Sequence, residues 1–173
     1  MRALWLALLV GGMVVGSPTA VAGEEAAQEV QTPYEAQKVV YDFYFDEPAK
    51  IATALYWLRA HIKPLSEEPY NIPPDFLDIK VVIHGTEIVT VAKKNQERFP
   101  DVVQRMRYYD RIGVDFKVCS LAAQDYDYRT EDFQPFIDVV PSAMAELAHW
   151  QQKGYALMVP TVYERKHAIE DIR

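Results

Sequence analysis

Five short apolar segments, separated by stretches of helical spacing, constrain the fold of this chain more than any other feature. The clearest segment, residues 79–84, is a nearly continuous apolar run, which is typical of a strand buried on both faces. Residues 114–119 instead alternate apolar and charged side chains with the period of a strand. The other strand-like segments are residues 37–45, 136–140 and 155–159.

The segments between the strands carry apolar residues at helical spacing, and we expect helices in residues 51–62, 87–94, 100–111 and 143–153. Lys63-Pro64 is expected to end the first helix, because proline restricts the residue before it. Gly154 is expected to end the last one, and the polar residues 124–134 to form a loop. The alternation of strands and helices predicts an α/β fold with three layers, α/β/α, whose sheet is mostly parallel with right-handed crossovers.

Residues 1–22 have the features of a secretory signal peptide. Arg2 gives a minimal positive region, residues 3–15 are apolar, and Ala20-Val-Ala22 is a cleavage site of the A-x-A type. The apolar run is short for a membrane span, so we expect cleavage and export to a bacterial periplasm, with no membrane segment afterwards. Residues 23–36 are then an N-terminal linker, residues 37–160 a single domain and residues 161–173 a charged C-terminal tail.

The acidic composition excludes some partners. The formal net charge is −7, and it becomes −8 without residues 1–22, which contain one basic residue, Arg2, and no acidic one. An acidic domain without a basic patch is a poor binder of nucleic acids. The chain has one cysteine and therefore no intrachain disulfide, and an unpaired thiol is unusual in an oxidising compartment.

The single cysteine, Cys119, closes a predicted strand, and the next residues can open a helical turn. The carboxyl ends of parallel strands are where α/β folds place their chemistry. Backbone N–H groups and a helix dipole at this position would favour the thiolate over the thiol. The alternative is a buried cysteine that acts as a small inert apolar side chain.

His84 is the second candidate site residue, because it ends the strand of residues 79–84. In a parallel sheet it lies at the same edge as Cys119 and could activate the thiol as a base or an ion-pair partner. The alternative is a histidine bonded to the backbone. Glu87 is interpreted as compensation of a helix dipole. The sequence has no metal-ligand spacing and no nucleotide-binding or serine-hydrolase motif, so we expect no metal and no cofactor.

Three motifs in order carry a resemblance to a known family. They are Lys-Val-Val-Ile-His-Gly85, then Ile-Gly-Val-x-Phe-x-Val-Cys119, then Val-Val-Pro-Ser-Ala-x-Ala-Glu-Leu-x-x-Trp-Gln-x-Lys-Gly-Tyr155. From about Lys38 to Pro160 the chain resembles the DsrE/DsrF-like family, which includes sulfur-relay subunits of the TusBCD type. The resemblance implies a compact α/β fold with a mostly parallel five-stranded sheet, and assembly into homotrimers or hexamers.

The same resemblance implies a function for Cys119, because relay members carry sulfane sulfur as a persulfide on a cysteine after the third strand. We therefore expect an exported protein of sulfur handling, whose partner is a sulfur donor or acceptor protein or a small sulfur compound. Relay members work in the reducing cytosol, whereas this chain has an export signal. A non-catalytic oligomeric binding or scaffold module with a buried, inert Cys119 is the alternative. A third hypothesis, a peroxide-reactive thiol that forms a sulfenate, lacks a resolving cysteine.

Overall fold

The computed structural model describes residues 26–173. Residues 26–32 form no helix or strand, and residues 33–173 form one compact unit. The predicted signal peptide lies outside the described residues. No helix within residues 26–173 combines the length and the apolar character that crossing a membrane requires.

The compact unit is built on one sheet of five strands: β1 (Lys38–Phe43), β2 (Asp78–Ile83), β3 (Val114–Cys119), β4 (Ile137–Val140) and β5 (Ala156–Met158). Their order in the sheet is β4-β3-β2-β1-β5, and all neighbouring strands are parallel. The α-helices lie in the connections after β1, β2, β3 and β4 and in the tail. The helices are α1 (Lys50–Ser66), α2 (Pro100–Arg111), α3 (Ser120–Gln124), α4 (Ala143–Gln152) and α5 (Ile169–Ile172).

Helices cover both faces of the sheet, which confirms the predicted three-layer α/β/α architecture. The larger core lies between the sheet and the pair α1 and α2, and it contains Phe43, Ile83 and Phe116, each no more than 1% exposed. The smaller core lies under α4 and contains Val40, Val82 and Cys119. Alternate residues of β1, β2 and β3 thus face different helices.

The predicted end of the first helix is wrong. The helix α1 continues through Pro64 to Ser66, although the proline removes one backbone hydrogen bond. Buried Leu65 holds this turn on the core, and the Ser66 hydroxyl donates to the Ile62 carbonyl oxygen at 2.9 Å.

Two further expectations need correction. The helical segment expected in residues 87–94 is present, but as two short 3₁₀ helices, Thr86–Val91 and Lys93–Asn95, rather than as one continuous helix. Thr86 and residues 88–91 are β-branched, and such residues favour the α-helix only weakly. The expected polar loop of residues 124–134 also contributes to the core, because Tyr128 and Phe133 are buried.

Candidate functional site

The candidate site lies where β1, β2 and β3 end side by side. Ile83 pairs with Val118 in the parallel register, so the next residues, His84 and Cys119, occupy neighbouring positions on the same face of the sheet. His84 continues the ladder on its other side, since its N–H donates to the Phe43 carbonyl oxygen at 3.0 Å. The two residues predicted from strand ends therefore lie at one edge and under α4.

His84 is held by two residues that the sequence analysis did not identify. Its Nε2 atom lies 2.6 Å from Oδ1 of Asp42, and its ring stacks on Tyr44 with 4.8 Å between centroids and 18° between planes. An ionised carboxylate only accepts hydrogen bonds, so Nε2 carries the hydrogen and donates it to Asp42. In the neutral ring Nδ1 is then the nitrogen that can take up a proton.

Cys119 is largely covered, with 5% of the residue exposed. It is the N-cap of α3, and its Sγ atom accepts a hydrogen bond from the Ala122 N–H at 3.5 Å. The helix that follows has only five residues, so the macrodipole expected to favour the thiolate is short. Local stabilisation of the sulfur comes from this single backbone donor.

Two cavities meet at His84. The first has a volume of about 410 Å³ and includes Cys119 in its wall. It is lined by His84, Cys119, Leu121, Ala122, Gln124, Asp125, Ser142, Ala143 and Met144. The second has a volume of about 300 Å³ and is lined by Tyr44, Phe45, Asp46, His84, Gly85, Thr86, Ala122, Asp125 and Tyr126. A histidine between two cavities can exchange protons with a group bound in either.

Glu87 has a structural role that its interpretation as dipole compensation missed. The residue is 0% exposed, and its carboxylate accepts hydrogen bonds from the backbone N–H groups of Phe45, His84 and Gly85 at 3.0, 3.2 and 2.9 Å. Burial raises the pKa of this carboxyl above its ordinary value, against the effect of these donors. Glu87 therefore joins the ends of β1 and β2 and fixes the backbone of His84.

Gly85 is required by the same contact. A Cβ atom at this position would lie 2.5 Å from Oε2 of Glu87 and 2.5 Å from the backbone nitrogen of Phe45. Any other residue would displace the backbone next to His84. Gly85, the last residue of the motif Lys-Val-Val-Ile-His-Gly85, thus permits the close packing of the ends of β1 and β2.

The remaining histidines do not join the site. His61 lies between α1 and β1, where its ring nitrogens lie 2.8 Å from the Tyr41 hydroxyl and 2.7 Å from Oε1 of Gln37. His149 is on α4, and His167 is in the tail. Within residues 26–173, no cluster of three His, Cys, Asp or Glu side chains is arranged to hold a metal ion.

Asp42 left a weak signal in the sequence, whereas Tyr44 left none. Asp42 is the only acidic residue of a strand that is otherwise rich in aliphatic and aromatic side chains. A carboxylate at such a position needs a partner, since burial without one is costly. The identity of that partner depends on the strand order, which places β2 next to β1.

The fold and the position of the candidate site define the general class of the protein. It is an all-parallel α/β protein with a candidate site at the carboxyl edge of its sheet, under α4. The sequence profile of the DsrE/DsrF-like family matches residues 38–160. The chain therefore belongs to this family, and the family and fold expected from the three motifs are confirmed.

A solved structure supports the fold. The chain is similar to MTH1491, a protein of unknown function from Methanobacterium thermoautotrophicum, with a TM-score of 0.57 and 18% sequence identity. The similarity covers 72% of this chain and 99% of the MTH1491 chain. No curated protein matches the chain. At this identity the likeness concerns the fold alone.

Proposed function

We propose that this protein handles sulfur and carries a sulfane sulfur atom on Cys119 as a persulfide. Membership of the DsrE/DsrF-like family supports a role of the sulfur-relay kind. The observation that carries the proposal is the shared cavity: Cys119 and His84 line the same space of about 410 Å³, and His84 is paired with Asp42.

The side chains divide the chemistry between them. His84 takes the proton of the Cys119 thiol, and Asp42 stabilises the imidazolium that forms. The thiolate attacks the outer sulfur of a persulfide donor R–S–SH, and a new S–S bond forms. The S–S bond of the donor breaks, and its electron pair leaves with R–S⁻. The sulfane sulfur keeps its oxidation state, so the transfer needs no external oxidant or reductant.

The setting of this chemistry is part of the proposal. The predicted signal peptide supports work in the periplasm, where the persulfide would meet other donors than in the cytosol. The family supports a homotrimer or hexamer, and light scattering of the purified protein would give the mass of the assembly. A monomer would contradict that part alone.

A second function is favoured by a specific observation. Cys119 is only 5% exposed, and its sulfur already accepts the Ala122 N–H. A covered and hydrogen-bonded thiol suits a non-catalytic oligomeric binding or scaffold module in which Cys119 is inert. The two functions differ in whether the thiol reacts in the folded protein.

Intact-mass spectrometry tests the proposed function. The folded protein is incubated with an alkyl persulfide, then trapped with an alkylating reagent, and Cys119→Ser is treated in parallel. We expect one added sulfur atom per chain that the reagent traps and that the variant lacks. A thiol that gains no sulfur and is alkylated only after denaturation would favour the scaffold function instead.

A further inference from the structure

The acidic and basic residues around the Cys119 site are unevenly distributed, because the cavities are lined by aspartates. Asp125 lines both cavities, Asp46 lines the second, and Asp42 contacts the site through His84. No lysine or arginine lines either cavity in the part of the chain that the structure describes. A sulfur compound that enters either cavity therefore meets a carboxylate in the lining but no lysine or arginine.

Two lysines close to site residues are engaged by other groups. Lys50 lies 2.6 Å from Asp46 and neutralises that carboxylate. Lys117 is two residues before Cys119 on the same face of the sheet, but its ammonium lies 3.0 Å from Asp138 and near the ring of Trp150. Asp125 forms no salt bridge within residues 26–173 and stays as an uncompensated charge at both cavities.

The rest of the first cavity is neutral and partly apolar. Leu121 and Met144 are each 59% exposed at its rim, and Ala122 and Ala143 form part of its wall. Its neutral polar side chains are Gln124 and Ser142. These groups suit the carbon chain of an alkyl or peptide carrier better than the oxygen atoms of an inorganic anion.

We propose that the Cys119 site selects sulfur carriers that can present the sulfane sulfur without a fixed negative charge, such as alkyl or peptide persulfides in the protonated form R–S–SH, and rejects permanent anions such as thiosulfate. This inference rests on the proposed function and adds its substrate class. With thiosulfate, the attack on the outer sulfur would release sulfite, so two negative charges would have to enter and leave past Asp125. With an alkyl persulfide, the carrier leaves as a thiolate that is protonated by His84.

Three methanethiosulfonate reagents of different charge test this selectivity directly. The neutral methyl, the cationic trimethylammonioethyl and the anionic sulfonatoethyl reagents all form a disulfide with the thiolate and release the same methanesulfinate. Their rates with folded protein are divided by their rates with N-acetylcysteine amide, which removes the intrinsic reactivities. We expect the cationic reagent to exceed the anionic one about tenfold or more at low salt, and the difference to shrink as salt is added.

Charge reversal assigns the selectivity to its source. Asp125→Lys should raise the normalised rate of the anionic reagent about tenfold, because the uncompensated carboxylate becomes a cation. The matched control is Asp75→Lys, the same change on an exposed residue before β2, about 20 Å away along the strand. This control should change the ratio less than about twofold. Asp125→Asn gives an intermediate effect and serves if the lysine variant does not fold.

The outcomes separate the inference from the proposed function. Equal normalised rates for the anionic and cationic reagents, or a ratio that neither Asp125 variant changes, would overturn the inference, while persulfide formation on Cys119 would still support the function. A thiol that reacts with none of the three reagents in the folded protein would overturn both.

Discussion

The two faces of the sheet differ in what they bury. Strand side chains under α1 and α2 are apolar apart from the Tyr41 hydroxyl: Val39, Tyr41, Phe43, Ile79, Val81, Ile83, Val114, Phe116 and Val118. The face under α4 carries Lys80 and Lys117 among its few apolar residues and ends in His84 and Cys119. The same strands thus supply an apolar core on one side and a row of polar groups on the other.

On the face under α4, called the polar face below, the charged and hydroxyl groups are paired with one another. Lys80 contacts Asp78 and Asp115, its ammonium lies 5.0 Å from the centre of the Trp150 ring, and the Tyr155 hydroxyl donates to Asp78. Burial and this carboxylate raise the pKa of Tyr155 to about 12. Since paired charges contribute little net stability, the difference between the faces suggests that one stabilises the fold and the other positions chemistry.

Neighbouring residues of β3 give the largest expected contrast. Phe116, which is 1% exposed in the apolar core, should cost about 3–5 kcal/mol of unfolding free energy when changed to alanine. Lys117→Met keeps the volume and removes an ion pair to Asp138, whose side chain is 71% exposed, so it should cost less than about 1 kcal/mol. Urea unfolding of both variants measures the difference. Similar losses would contradict the division of the sheet into two roles.

Glycine substitutions sharpen the comparison at the edge of the sheet. Gly85→Ala places a methyl group 2.5 Å from the Glu87 carboxylate and should cost about 1–3 kcal/mol while slowing the modification of Cys119. Gly154→Ala is the control, because its positive φ of 86° costs about 1–2 kcal/mol but nothing lies within 4 Å of the new methyl group. Unfolding and thiol kinetics are measured together. Equal thiol kinetics in both variants would argue against the role given to Gly85.

Asp42→Asn tests the pairing on the polar face alone. Removing this charge weakens His84 as a base, so persulfide formation on Cys119 at pH 7 should slow about tenfold. Asp138→Asn, on the same face but paired with Lys117, should leave the rate unchanged. The rate is followed by intact mass over a range of pH, because a purely structural effect would not shift the profile. An unshifted profile in Asp42→Asn would remove His84 from the mechanism.

The smallest expected effect is a pH dependence of stability that comes from His61, on the helix α1 that covers the apolar face of the sheet. Burial lowers the pKa of His61 below its ordinary value of 6.5. Protonation therefore favours the unfolded chain: the stability from the neutral ring is present above about pH 6.5 and is lost as the pH falls below it. The urea midpoint should decrease between pH 7 and 5, and less in His61→Gln. His167→Gln, in the exposed tail, should behave as wild type, and an identical acid response in His61→Gln would contradict this assignment.

The sequence predicted the strands well because their apolar and β-branched residues record burial directly. The apolar run of residues 79–84 and the alternating pattern of residues 114–119 each predicted a strand, and the strand ends gave His84 and Cys119 as candidates. Asp42 and Tyr44 were missed because their contacts with His84 link the ends of β1 and β2. The order of strands in a sheet cannot be predicted from the local periodicity of the sequence. Glu87 was misread for the same reason, since one of its donors, Phe45, is 42 residues away in the chain.

The most direct test of the account is the alkylation rate of Cys119 by iodoacetamide in the folded protein, compared with the unfolded chain and with folded His84→Gln. We predict that folded wild type reacts at pH 7 at least as fast as the unfolded chain, and that His84→Gln reacts about tenfold more slowly. A folded thiol that resists the reagent until denaturation, with no difference between wild type and His84→Gln, would contradict a reactive site on the polar face.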